Sequence, residues 1–268
     1  MAERECVTYI YDGSFEGFLT AVFEVYSRRQ EPEAITIEEG VQLAFDKHVC
    51  TIRTDGGKAE RVHKGIGLKM GQIAYQNVIT TFLSGDDSKE MVLLRYIQHG
   101  MKIGPRIVDD LAHDTVVAMD KLRRHIEGEA HLLKGFVRFS LLEGGIFYAR
   151  ITPKNNVIPL LMPHFVDRFS IQPFILYDKE HFLAGIYDTQ SWYMAEAEAI
   201  NPPPVAKEDI QFQRMWRSFY NSIGIKERKN FKCRRTHMPM RYWKNMTEFT
   251  FYENQYTRDG TLALDNGK

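Results

Sequence analysis

Gly135-Phe136-Val137-Arg138-Phe139-Ser140-Leu141-Leu142-Glu143-Gly144-Gly145-Ile146-Phe147-Tyr148-Ala149-Arg150-Ile151 is the stretch that decides the fold class. Val137, Phe139 and Leu141 alternate with Arg138 and Ser140, Gly144-Gly145 supplies a turn, and Ile146 to Ile151 returns, so the segment predicts a β-hairpin. Downstream, Val157 to Phe169 predicts a short helix entered near Pro159. Pro173 to Tyr177 and Phe182 to Tyr187 then predict two more strands, separated by Asp178 to His181. The order strand, strand, helix, strand, strand implies an antiparallel sheet, and its position behind a helical block implies an α+β protein rather than a doubly wound parallel one.

Upstream the period is helical. Cys6 to Tyr11 predicts a strand, and Asp12-Gly13 a turn. Ser14 would cap a helix whose apolar face is Phe15, Phe18, Leu19, Val22, Phe23 and Tyr26. One helical stripe runs Ile66, Met70, Ile73, Ala74, Val78, Phe82, and Asp87 with Glu90 suggests a capping box. A third helix steps through Met119, Leu122, Ile126, Ala130 and Leu133, with Asp120, Lys121, Arg123, Arg124 and Glu127 on a solvated face. Pro202-Pro203-Pro204 forces an extended run, so the expected division is a core domain over 1–200, a basic helical C-terminal module over 208–250 packed on that core, and a tail over 251–268.

The 268 residues hold 35 Lys plus Arg and 35 Asp plus Glu, which excludes a uniformly basic surface but not a local one. Residues 1–46 carry ten carboxylates against Arg4, Arg28 and Arg29, while residues 226–244 carry eight Lys or Arg against Glu227. The two ends could attract each other, or the basic segment could meet an anionic polymer. Cys6, Cys50 and Cys233 are too few and scattered for a disulfide framework or a CxxC zinc site, so reduced thiols and a cytoplasmic location are expected. Gly65 to Leu83, the most apolar long stretch, contains Lys69, Gln72, Gln76 and Asn77, so no membrane partner is expected.

No P-loop, GxGxxG, HExxH or GxSxG motif occurs, and the nine histidines are dispersed; no cofactor and no metal are expected. Two constellations remain. His164 and Arg168 share a face on a helix, where an imidazole and a guanidinium could move a proton and hold an anion together. The alternative is local packing of His164 with Arg168 paired to a carboxylate such as Asp178. Between Trp216 and Glu248, Lys226, Arg228, Lys229, Lys232, Arg234, Arg235, Arg241 and Lys244 interleave with aromatic rings including Tyr242 and Trp243. Cations neutralise phosphates and rings stack on bases. Alternatively the rings Trp216, Phe219, Tyr220 and Trp243 anchor two helices, Met215 to Ile223 and Pro239 to Met246.

The segments Tyr11-Asp12-Gly13-Ser14-Phe15-Glu16-Gly17, Gly135 to Phe139, Pro163-His164-Phe165 through Arg168-Phe169, and Met238 to Lys244 resemble an uncharacterised bacterial family known as probable DNA metabolism proteins. Its members are typically encoded beside a radical-SAM protein assigned to DNA repair, and a similar region is sometimes fused to a uracil-DNA glycosylase-like domain. The resemblance covers nearly the whole chain. Its pattern falls on Asp12, Gly13, Glu129, His131, Arg138, His164, Arg168, Asp178, Arg228, Asn230, Pro239, Arg241, Tyr242 and Trp243. The chain departs from it at Leu132, Glu180 and Phe231. What the resemblance implies is an accessory protein of DNA repair or modification that binds DNA or docks a radical-SAM partner, with no catalysis of its own. The rival readings are a nucleic-acid-processing enzyme using His164, Arg168, Arg138 and Asp178, and a purely structural adaptor.

Overall fold

Val7–Tyr11 (β1) is buried along its whole length, as a strand covered on both faces must be. The structure is a computed structural model that describes residues 7–37, 48–225, 228 and 230–249. β1 pairs in parallel with Ala34–Ile37 (β2) and His48–Thr51 (β3), in the order β2-β1-β3. The turn into helix α1 (Phe15–Arg28) is built by its own side chains. Asp12 Oδ1 accepts from Ser14 N at 2.9 Å and Ser14 Oγ at 2.6 Å, and Ser14 Oγ accepts in turn from Gly17 N. Gly13 takes a φ of +81°, and a side chain at position 17 would collide with Asp12. The Asp12-Gly13-Ser14 motif is thus a strand-to-helix joint.

The stripe from Ile66 to Phe82 is two helices, α2 (Gly56–Met70) and α3 (Gln72–Phe82). Gly71, with φ +85°, breaks the run, and this rotates Ile73 out to solvent while Ile66, Met70, Ala74 and Val78 stay buried. The expected capping box does not form at α4 (Lys89–Ile103). Ser88 is the N-cap residue and provides no side-chain cap, whereas Glu90 is buried and accepts from Tyr11 Oη at 2.9 Å. α5 (Asp114–Phe136) buries the five predicted residues Met119, Leu122, Ile126, Ala130 and Leu133, with Asp120 bridging Arg123 and Arg124 on the other face.

The chain falls into two compact units, Met1–Ile126 and Glu127–Lys268, so the division lies inside α5 rather than at the prolines. The proline run is extended, as its fixed φ requires, but it serves as an edge partner. Glu143 N donates to Pro204 O, Ala206 N donates to Leu141 O, and Leu142 bridges Val205. The expected break at 200–208 is therefore tied into the second unit. The tail at 251–268, Cys6, and the stretch 38–47 lie outside the described residues. Cys50 and Cys233 are free thiols.

In the second unit the sheet has five strands in sequence order: β4 (Ser140–Leu141), β5 (Phe147–Ile151), β6 (Phe174–Asp178), β7 (Leu183–Tyr187) and β8 (Trp192–Glu196). The predicted hairpin is β4-β5, turning through Gly144 and Gly145 at positive φ. It is shorter than the alternation suggests, because α5 continues to Phe136 and Val137 N bonds back to Leu133 O. The chain is α+β and the sheet is mostly antiparallel, with one correction: β5 and β6 pair in parallel. Between them lies α6 (Ile158–Arg168), entered at Pro159, and a connection carrying a helix returns the chain to the same end of the sheet. The parallel β2-β1-β3 sheet of the first unit adds two strands to the one expected there, at Cys6 to Tyr11. The edge strand β8 was not predicted; its Trp192, Tyr193 and Met194 are exposed.

Candidate nucleic-acid interface

Two buried carboxylates organise the second unit. Glu129, on α5, has only 3% of its side chain exposed and collects six hydrogen bonds from five groups. Lys154 N and the backbone and side chain of Asn155 donate from the loop after β5. Arg241 Nη2 (2.7 Å) and Tyr242 Oη (2.6 Å) donate from a 3-10 turn, Met240–Asn245. Burial would raise this carboxyl, but the donors, Tyr242 foremost, outweigh it and hold Glu129 below its ordinary range. Burial and the neighbouring Glu129 in turn push the Tyr242 hydroxyl upward, so it stays protonated as a donor.

Glu248 is the second carboxylate, with 2% of its side chain exposed. Arg138 grips it with Nη2 at 2.7 Å and Nε at 3.2 Å, and Trp216 Nε1 donates at 3.1 Å. The remaining nitrogen, Arg138 Nη1, donates to Gly135 O and Val137 O, and the guanidinium lies 5.7 Å from the Trp216 ring centre. Arg138 is therefore spent on the fold. Here too burial opposes ionisation, and the bonds from Arg138 and Trp216 with its own backbone N–H keep Glu248 low.

These hubs remove three residues from the predicted nucleic-acid set. Arg241 is paired to Glu129, and Tyr242 is buried against the same carboxylate. Trp243 is buried, donates to Met238 O and stacks on Phe249 at 4.8 Å. Trp243 is therefore a core anchor, as one of the two sequence readings held. Trp216 and Phe219 are not; 40% and 52% exposed, they sit on α7 (Lys207–Ile223), which has no buried residue.

The rest of the basic segment is differently placed. Asn230 caps the short helix α8 (Phe231–His237) by accepting from Cys233 N, which explains this position of the pattern structurally. Arg228 and Arg234 line a cleft of about 380 Å3 with Tyr220, Phe231, Trp243 and Phe249. The Arg234 guanidinium lies 5.5 Å from the Phe231 ring centre and 5.7 Å from that of Phe249. Lys232 and Arg235 are exposed on α8, and Lys244 is exposed beyond it. Among the described residues, Arg228, Lys232, Arg234 and Lys244 have no carboxylate partner. Lys226 and Lys229 lie outside the described residues.

The four proposed catalytic positions do not converge. Asp178 is fully buried at the end of β6, where it accepts from Glu180 N, His181 N and His181 Nδ1 (2.6 Å); it closes a turn and does not pair with Arg168. Arg138 and Arg168 line one cleft, and His164 sits beside it, half-buried against Phe165. Burial and the charges of Lys134 and Arg168 lower the His164 pKa, with Asp167 opposing. Among the described residues no group of three or more His, Cys, Asp or Glu is placed to hold a metal, and no helix is long and apolar enough to cross a membrane. Glu248 and Lys134 were missed as site residues. A lone Glu between Trp243 and Phe249 was the available signal for the first.

Fold and site together define an α+β protein whose second unit is locked by two buried arginine–carboxylate pairs and bears a separate group of open cations. A family described as a domain of unknown function (DUF4130) matches residues 87–248, and the chain belongs to that family. No curated protein matches the chain.

Proposed function

We propose that the protein binds DNA through α8 and the segment around it, as an accessory in DNA repair or modification that acts with a radical-SAM protein. One observation carries the binding step: among the described residues Arg228, Lys232, Arg234 and Lys244 have no carboxylate partner, whereas Arg138 and Arg241 of the same unit are paired to buried carboxylates. Unpaired cations beside an aromatic-lined cleft suit a phosphate backbone, since each phosphate contact releases condensed counterions. The radical-SAM association rests on the family resemblance. Replacing Arg228, Lys232 and Arg234 with Ala should flatten the slope of log affinity against log salt by up to about 2 to 3 units, similarly for all DNA sequences. Unchanged affinity and slope in the triple variant would remove the phosphate contacts, and with them the reading.

A second reading, docking of that partner, is favoured by α7. Phe212, Met215, Phe219 and Ile223 follow helical spacing and are all more than half exposed. Such a row matches the anchors of a helix laid into a partner's groove.

A further inference from the structure

A second cleft is lined by Arg138 and Arg168. Its volume is about 550 Å3, within the range of small-molecule sites. Half-buried Phe139, Phe147 and Phe169 line it with their centroids 4.9 Å (Phe139–Phe169) and 5.7 Å (Phe147–Phe169) apart, and Phe212, 66% exposed, lines it from α7. Arg138 is saturated by Glu248 and two carbonyls, so the free charge of the lining comes from Lys134 and Arg168. Both are exposed and without a carboxylate partner among the described residues. Asp209, the single carboxylate of the lining, accepts from Gln213 Nε2 at 2.8 Å.

An apolar ligand would leave the two cations unmatched, and a bare anion would leave the rings unused. A flat ring system carrying a phosphate uses both. We propose that this cleft binds one nucleotide, its base against the phenylalanine rings and its phosphate on Lys134 and Arg168, supplied either as a free mononucleotide or as one unit of a single strand. Neighbouring His164 suits this arrangement. It faces Lys134 from α5 and Arg168 and Asp167 from its own helix; burial and the two cations lower its pKa and Asp167 opposes them. The single-strand source rests on the DNA reading above; the free nucleotide does not.

The full chain is titrated with adenosine 5′-monophosphate, adenosine, inorganic phosphate and a short oligodeoxythymidine, by calorimetry and by tryptophan fluorescence, since Trp216 lines the cleft. The monophosphate should bind more tightly than adenosine or phosphate alone. Lys134→Ala with Arg168→Ala should weaken it by about tenfold or more, and Phe212→Ala by several-fold, with unchanged thermal unfolding. Preference for the oligonucleotide over the monophosphate, with the same sensitivity to the variants, identifies a strand as the source. Failure of both probes to bind, or affinities unaffected by the Lys134/Arg168 variant, overturns the proposal. Lys232→Ala with Arg234→Ala separates the two readings. It should spare monophosphate binding while flattening the salt dependence of DNA binding, so loss of one effect without the other identifies which site is wrong.

Discussion

Arg138 and Arg241 on one side, and Arg168, Arg228 and Arg234 on the other, are the same residue type in the same unit, yet they do opposite things. The first two are held to buried carboxylates, Glu248 and Glu129, and these ion pairs join distant parts of the second unit: Arg138 to Glu248 and Arg241 to Glu129. The others have no such partner among the described residues and line clefts with aromatic rings. A guanidinium satisfied inside the fold cannot also hold a phosphate. Arg138 and Arg241 thus build the unit, whereas Arg168, Arg228 and Arg234 have no carboxylate partner among the described residues.

The largest effect should come from breaking a hub. Glu129→Ala strips the partner from Arg241, Tyr242, Asn155 and Lys154 N at once, and removing one member of a buried charged pair costs on the order of 3–5 kcal/mol, toward the lower end here because Arg241 is a third exposed. Urea unfolding measures it; a loss below about 1 kcal/mol would mean that the hub is not what holds the 3-10 turn to α5.

Next in size is an acid effect. Glu248 sits below its ordinary 4.5 in the folded protein, because the bonds from Arg138, its backbone and Trp216 outweigh burial. A carboxyl lowered by folding contributes in full above its unfolded pKa and loses that contribution as pH falls through its folded pKa. Stability should therefore decline below about pH 4.5, and Glu248→Gln, although less stable at neutral pH, should show a shallower decline. Parallel acid profiles for the two proteins would count against this assignment.

The smallest effect on stability should come from the open side. Met215→Glu with Phe219→Glu alters two exposed positions of α7 and should change stability by no more than about 0.5 kcal/mol each. On the proposed docking reading, the same pair should abolish co-elution with a radical-SAM protein. Retained co-elution would leave α7 without a docking role.

The basic segment shows how far a sequence can be read. Its charge was plain from Lys226 to Lys244, but which cations are free was not, because Glu129 and Glu248, which claim Arg241 and Arg138, lie 112 and 110 residues away in the chain. The sequence leaves stacking and core anchoring both open for Trp243, and the 3-10 turn that carries Tyr242 and Trp243 inward separates them from exposed Phe231. Likewise His164 and Arg168 were legible as a helical pair, whereas Lys134, the second cation beside His164, belongs to another helix.

Local chemistry determined what is local. Ser14 caps α1, Pro159 enters α6, Gly144-Gly145 turns the β4-β5 hairpin, and the period of α5 gives five buried residues, since each depends on backbone preference within a few positions. Tertiary structure alone decided the parallel pairing of β5 with β6, the second, three-stranded sheet, the place of the division inside α5, and the partner of each arginine. A strand's side-chain period is the same whether its neighbour runs parallel or antiparallel, and a guanidinium carries no local mark of the carboxylate that will bury it.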